Sequence, residues 1–258
     1  MQKYFILSIT NQSFAATLFV NDIPVFTDNL RNEMDKTVHI NQYIIEGKNS
    51  FRAVLHVPSE LDAIPDDSNE FYFKIEQILA ESEESMTSSV VVEYLLKPNA
   101  EDSFPFIFDT SFEVSDAYGK YDWQTANQWS DESLDRSSIL GYADTILKAL
   151  KSKSFSELSP HLHWKRTELG RCYGFATDEL ENDDKELFES LFQNSNWGLE
   201  DFDPSDLVYD LWANGRIVQV IRPNGKELIR TVRLKESDIF YSLPLILAYI
   251  ENEWRLVR

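Results

Sequence analysis

The chain has 258 residues, 43% apolar and 13% aromatic, which is material for one large or two ordinary domains. A formal net charge of -20 and an isoelectric point near 4.5 argue against nucleic acid and anionic membranes as partners, since no basic excess exists whose counterion release would drive binding. The single cysteine, Cys172, excludes an internal disulfide framework and a cysteine-cluster zinc site.

The first apolar run, Tyr4–Thr10, follows one lysine, Lys3, and ends at Asn11-Gln12-Ser13 without a small-residue cleavage site. It reads as a strand rather than a signal peptide. No stretch approaches the ~20 apolar residues of a spanning helix, so the protein is expected to be soluble and cytoplasmic. Further runs rich in Val, Ile, Phe, Tyr and Thr follow at Ala16–Val20, Thr37–Ile40, Ser50–Val57, Glu70–Leu79, Ser88–Leu96 and Pro105–Val114. Turn residues separate them: Asn21-Asp22, Glu46-Gly47-Lys48-Asn49, Pro65-Asp66-Asp67-Ser68-Asn69, the polar Glu81–Ser89 and Lys97-Pro98-Asn99. About seven strands with regular turn spacing predict an all-β sandwich of immunoglobulin-like or jelly-roll type over residues 1–115.

Residues 116–137 read as a linker, polar and acidic, although Tyr121, Trp123 and Trp129 imply that part of it packs. From 138 to 258 the pattern is α+β. Ile139, Leu140, Ala143, Ile146, Leu147 and Leu150 recur at helical spacing. Ser154-Phe155-Ser156-Glu157 is a capping box that opens a short second helix, and Asp183–Gln193 predicts a third with an apolar stripe of Leu187, Leu191 and Phe192. Strands are then expected at Leu207–Ala213, Arg216–Arg222, Glu227–Leu234, Ile239–Ile250 and Trp254–Val257, with hairpin turns at Asn214-Gly215 and Asn224-Gly225.

The chemistry-bearing motifs are sparse. There is no glycine-rich phosphate loop and no Gly-x-Ser-x-Gly elbow. His161-x-His163 would place two rings on one side of an extended segment, yet Trp164, Lys165 and Arg166 beside it offer no third metal ligand; the alternative is a helix C-terminal segment. Arg171 next to Cys172 could lower a thiol pKa, whereas Tyr173, Gly174 and Phe175 suit a small core residue. Asp201-x-Asp203-x-x-Asp206 lacks the Gly and Glu of a helix–loop–helix calcium loop, where Asp206 and Trp212 stand instead. Neither a metal nor a cofactor is implied.

The order of helices followed by a meander carries a resemblance in its closing residues. Leu243-Pro244-Leu245-Ile246-Leu247-Ala248-Tyr249-Ile250, a tight turn, then Glu253-Trp254-Arg255-Leu256-Val257 is similar to the ending of the nuclear transport factor-like (SnoaL-like) cone, over about residues 137–258. The resemblance implies a cone-like α+β domain, often with a cavity in which an Asp–His or Tyr–Asp pair does acid–base work. Tyr142, Asp144, His161, His163, Tyr209, Asp210 and Tyr241 are candidates for such a pair, but their spacing brings no two together.

One feature leans toward binding. Between Asp178 and Asp210 twelve carboxylates face a single cation, Lys185, with Phe188, Phe192, Trp197, Phe202 and Tyr209 among them. Asp178–Glu189 suits helix initiation and a solvated helix face. Trp197–Asp210 has no helical rationale, so Trp197, Glu200, Asp201, Phe202, Asp203, Asp206 and Asp210 are the candidate partner-binding residues, with Trp212 a further anchor. Carboxylates would steer a cationic protein while the aromatics supply apolar area. Alternatively, Arg216, Arg222, Lys226, Arg230, Arg233 and Lys235 of the next hairpins neutralise the acids internally. Through Leu134 there are 8 basic and 23 acidic residues, and beyond it 16 and 21, so most of the charge lies in the first part. In overall character the chain resembles the acidic immunity proteins that neutralise basic bacterial toxins. The expected function is non-enzymatic binding of a cationic protein; the alternative is a small-molecule binder or acid–base enzyme with a cavity in the C-terminal part.

Overall fold

Alternating burial dictates the first half of the molecule. Every second residue of Phe5-Leu7-Ile9, Ala16-Leu18-Val20, Phe51-Ala53-Leu55 and Phe71-Phe73-Ile75 is at most 1% exposed, the signature of strands with one covered face. The computed structural model describes residues 2–11, 14–28, 34–57, 70–82, 85–98, 102–115, 117–234 and 240–258. The expected turn at Pro65–Asn69, the middle of Glu81–Ser89, and Asn99, Lys235 and Ile239 lie outside them. The fold is β-rich, with two compact units, Met1–Lys120 and Tyr121–Arg258.

The first unit runs β1 (Gln2–Asn11), β2 (Ala15–Val20), β3 (Ile23–Asp28), β4 (Met34–His39), β5 (Gly47–His56), β6 (Phe71–Ser82), β7 (Ser85–Leu96) and β8 (Phe106–Val114). They form two antiparallel four-stranded sheets, β4-β1-β6-β7 and β3-β2-β5-β8. Both sheets contribute to one apolar core, and Phe51 of β5 stacks on Phe73 of β6 at 4.3 Å. Three buried asparagines are satisfied within this unit. Asn41 Oδ1 accepts from the Phe5 amide at 2.6 Å, Asn11 Oδ1 from the Phe14 amide at 3.0 Å, and Asn49 Oδ1 from the Ile45 amide at 2.8 Å. β3 is the strand not anticipated from the sequence. Pro24 lies in it, which an edge strand tolerates, and β3 is an edge. The turn into it is Asn21-Asp22, both at positive φ (52° and 62°), as a two-residue hairpin requires.

In the second unit, Tyr121 and Trp123 are buried around a 3-10 turn at Asp122–Thr125, and Trp129 stacks on Trp254 at 5.7 Å. Three helices follow. α1 (Arg136–Lys151) is capped by Asp135, which accepts from the Ser138 amide at 3.1 Å. α2 (Phe155–Tyr173) is capped by Ser154, and α3 (Thr177–Gln193) starts six residues earlier than the sequence suggested. α2 is also longer than expected and passes through Pro160. That proline forfeits one backbone bond, but burial of Leu158 and Leu162 on one side of it holds the helix together.

The remaining strands are β9 (Val208–Trp212), β10 (Ile217–Ile221), β11 (Ile229–Arg230), β12 (Ser242–Leu243), β13 (Leu245–Ile250) and β14 (Glu253–Leu256). They make a sheet ordered β14-β13-β10-β9 and a separate β11-β12 pair. Pro244 divides the single long strand expected before Ile250, so that Leu243 pairs with Ile229 while Leu245 pairs with Val220. Ile139, Ala143, Ile146 and Leu150 of α1 share a core with Val218, Val220, Leu245, Leu247 and Leu256. A buried pair closes the end of the chain: Arg258 donates to Glu168 of α2 and stands 5.5 Å over the Tyr121 ring.

The β9–β10 turn shows why its glycine is there. Gly215 has φ +78°, and a Cβ on it would meet the Trp129 carbonyl oxygen at 2.1 Å. The Trp129 amide in turn donates to Gly215 O at 2.9 Å. Gly225 has φ +73° but open space around it. Gly215→Ala should therefore cost on the order of 3 kcal/mol in urea unfolding, backbone strain plus overpacking, and Gly225→Ala only about 1–2 kcal/mol.

Candidate functional site

The acidic region is built on α3 and the loop after it. On the helix, Asp184 accepts from Arg166 at 3.2 Å, Glu181 lies 3.6 Å from the same guanidinium and accepts from the Ser159 hydroxyl, and Lys185 sits 3.9 Å from Glu189. Asp178, Glu179, Asp183, Glu186 and Glu189 are exposed. The helix thus pairs one acidic edge with α2 and presents the rest to solvent.

Beyond the helix the seven candidate residues separate into two groups. Trp197 packs edge-on against Phe192 at 5.0 Å, and its Nε1 donates to Leu150 O at 3.2 Å. The Glu200 carboxylate lies between Arg222 (3.2 Å) and Arg230 (3.4 Å), while its amide donates to Arg230 O at 2.8 Å. Phe202 packs on the core beneath the Arg222 guanidinium, 5.9 Å away. Arg222 also donates to the carbonyls of Asp201, Glu200 and Leu228 at 3.0–3.1 Å. These three candidates therefore pin the loop to the body of the unit.

Asp201, Asp203 and Asp206 face outward. Asp203 caps the 3-10 turn Pro204–Asp206, accepting from the Ser205 hydroxyl (2.7 Å) and amide (2.9 Å), and those bonds hold its carboxyl below the usual range. Asp210 is set apart on β9, opposite Gln219, where burial and then the Asp131 charge push its carboxyl up. Of the basic hairpin residues, Arg222 and Arg230 reach the acids, and Arg230 also stacks on Phe240 at 4.0 Å.

The other sequence candidates are dispersed. His161 and His163 sit within α2, not on an extended segment, so their rings project about 200° apart. His161 meets Tyr142 edge-on at 5.3 Å and burial lowers its pKa; His163 is exposed. Cys172 is buried 3.2 Å from the Tyr121 hydroxyl, and burial pushes its thiol up to about 11, outweighing the adjacent Arg171. Among the described residues no three His, Cys, Asp or Glu side chains are grouped to hold a metal ion. No helix among them is long and apolar enough to cross a membrane.

Two concavities accompany α2 and α3. An open groove of about 740 Å³ runs past Lys153, Ser154, Glu181 and Lys185. A small cavity of about 90 Å³ lies between the helices and Tyr241, lined by Leu162, Lys165 and Phe188, and includes neither histidine. The presence of Lys165 there was missed in the sequence, although a signal existed. Once α2 is extended, Leu158, Leu162, Lys165 and Leu169 fall at four-, three- and four-residue spacing, so the lysine lies on the apolar stripe. No protein-family model, no curated protein and no solved structure matches this chain.

Two outcomes test the division of labour in the acidic loop. Glu200→Gln removes the counter-charge of a guanidinium that is 10% exposed and should cost about 1–3 kcal/mol in chemical denaturation, while Asp206→Asn should stay within about 0.5 kcal/mol. Asp210 works in the opposite sense. Its raised folded-state pKa means stability that is present at low pH and lost as pH rises through that pKa. Asp210→Asn should then raise Tm at pH 7, with the gain shrinking as pH falls into the carboxylate range.

Proposed function

We propose that this is a cytoplasmic, non-enzymatic acidic protein that binds a cationic protein partner, in the manner of an immunity protein occluding a basic toxin. The observation that carries the proposal is the exposed trio Asp201, Asp203 and Asp206, presented by a loop whose inward side is fixed by Trp197, Glu200 and Phe202. A loop held this way loses little conformational freedom when a partner docks. The remaining acids of α3 extend the negative field and steer encounter. The accompanying fold reading is an immunoglobulin-like or jelly-roll sandwich, supported by two antiparallel sheets sharing one core, followed by a SnoaL-like cone, supported by helices sharing a core with the β14-β13-β10-β9 meander.

The test is affinity capture from the native host with mass spectrometry, comparing the wild type with the Asp201→Asn, Asp203→Asn, Asp206→Asn triple variant. Glu200 stays unchanged because its loss would loosen the loop. A basic protein should be retained by the wild type, released as salt is raised, and bound at least tenfold more weakly by the variant, about 1.4 kcal/mol. Absence of any stable protein partner at both low and moderate salt would defeat the proposal.

A further inference from the structure

Lys165 projects from α2 on the same stripe as Leu162 and Leu169, toward Phe188 of α3 and the Tyr241–Leu243 segment. Leu162, Phe188 and Leu243 are at most 2% exposed, so one part of the wall is apolar, and Arg166, Asp183 and Asp184 line the rest. Of the two carboxylates lining this cavity, Asp183 is exposed and Asp184 is already engaged by Arg166. Arg166 donates to Asp184 at 3.2 Å, lies 3.6 Å from Glu181, and donates to the Ser159 carbonyl and hydroxyl. Among the described residues no hydrogen bond or ion pair holds the half-buried Lys165 amine. The cavity beside it measures about 90 Å³, while one water needs only about 10–15 Å³, so it admits a molecule of a few heavy atoms.

We propose that Lys165 is a nucleophilic amine that forms a Schiff base with a small, uncharged aldehyde or ketone entering this cavity. Attack requires the neutral amine. Burial disfavours the ammonium and lowers the Lys165 pKa, with the Asp184 charge opposing in part. The nitrogen lone pair forms the C–N bond as the carbonyl π pair moves to oxygen. The resulting carbinolamine loses its hydroxyl and a nitrogen proton as water, leaving the imine, and nothing is oxidised or reduced. The Tyr241 phenol, kept protonated by burial, lines the same cavity as an acid for the oxygen. The other charged groups there are Arg166, which is committed to its acids, and Asp183 and Asp184, which repel anionic carbonyl compounds. This site does not depend on the acidic-loop reading.

The probe is acetaldehyde with cyanoborohydride at pH 7, carried to low conversion, with peptide mapping by mass spectrometry. Lys165 should be alkylated at least fivefold faster than the exposed Lys151 and Lys226, and the preference should vanish with the bulkier pyridine-4-carboxaldehyde. Lys165→Arg identifies the labelled peptide, and the acidic-loop triple variant should label as the wild type does. A rate at Lys165 no greater than at Lys151 and Lys226, or an equal preference for the bulky aldehyde, overturns the proposal.

Discussion

Three buried guanidinium groups organise the second unit. The side chains of Arg166, Arg222 and Arg258 are 4%, 10% and 6% exposed, and each joins segments distant in sequence. Arg166 ties α2 to α3, Arg222 ties the acidic loop to the β10–β11 connection, and Arg258 ties the last strand's exit to α2. A desolvated cation without a counter-charge is strongly unfavourable. Each of these arginines therefore dictates where a particular carboxylate must lie: Asp184, Glu200 and Glu168 respectively. The strength of such a pair lies less in its net contribution than in the penalty for breaking it, which makes the arrangement specific.

That constraint also sorts the acids. In a chain with 44 acidic residues and 24 cations, the acids drawn inward by arginine become structural, while Asp201, Asp203, Asp206 and most acids of α3 are left at the surface. Trp197–Asp210 shows the sorting within one loop. Glu200 accompanies two aromatics inward, and the aspartates around it point out. A negative surface follows from the internal pairing rather than standing apart from it. Lys165 is the complementary case, a cation beside Asp184, an acid that a neighbouring guanidinium, with its broader fork of donors, has already engaged.

Local patterns were legible in the sequence and long-range partnerships were not. Runs rich in Val, Ile, Phe, Tyr and Thr between turn residues marked β1, β2, β5 and β6, and Ser154 stands as the cap where the sequence placed a helix start. β3 escaped because Pro24 argues against a strand unless its edge position is known, and pairing order is not local information. α2 looked short because Pro160 follows its cap so closely. With it went the true placement of His161 and His163, whose apparent pairing assumed an extended chain. The inward role of Glu200 depends on Arg222 and Arg230, more than twenty residues downstream, and alternating acid and aromatic residues alone cannot reveal which side of a loop is tethered.

The tryptophan stack of Trp129 on Trp254 has an optical consequence. All six tryptophans, Trp123, Trp129, Trp164, Trp197, Trp212 and Trp254, lie in the second unit, while the first relies on phenylalanine and tyrosine. Intrinsic emission excited at the red edge of the indole band will therefore follow one half of the chain and be nearly blind to the other. A melting curve recorded that way describes the helical unit alone, and its disagreement with far-ultraviolet dichroism, to which the β-sheets contribute, would report directly whether the two units unfold together.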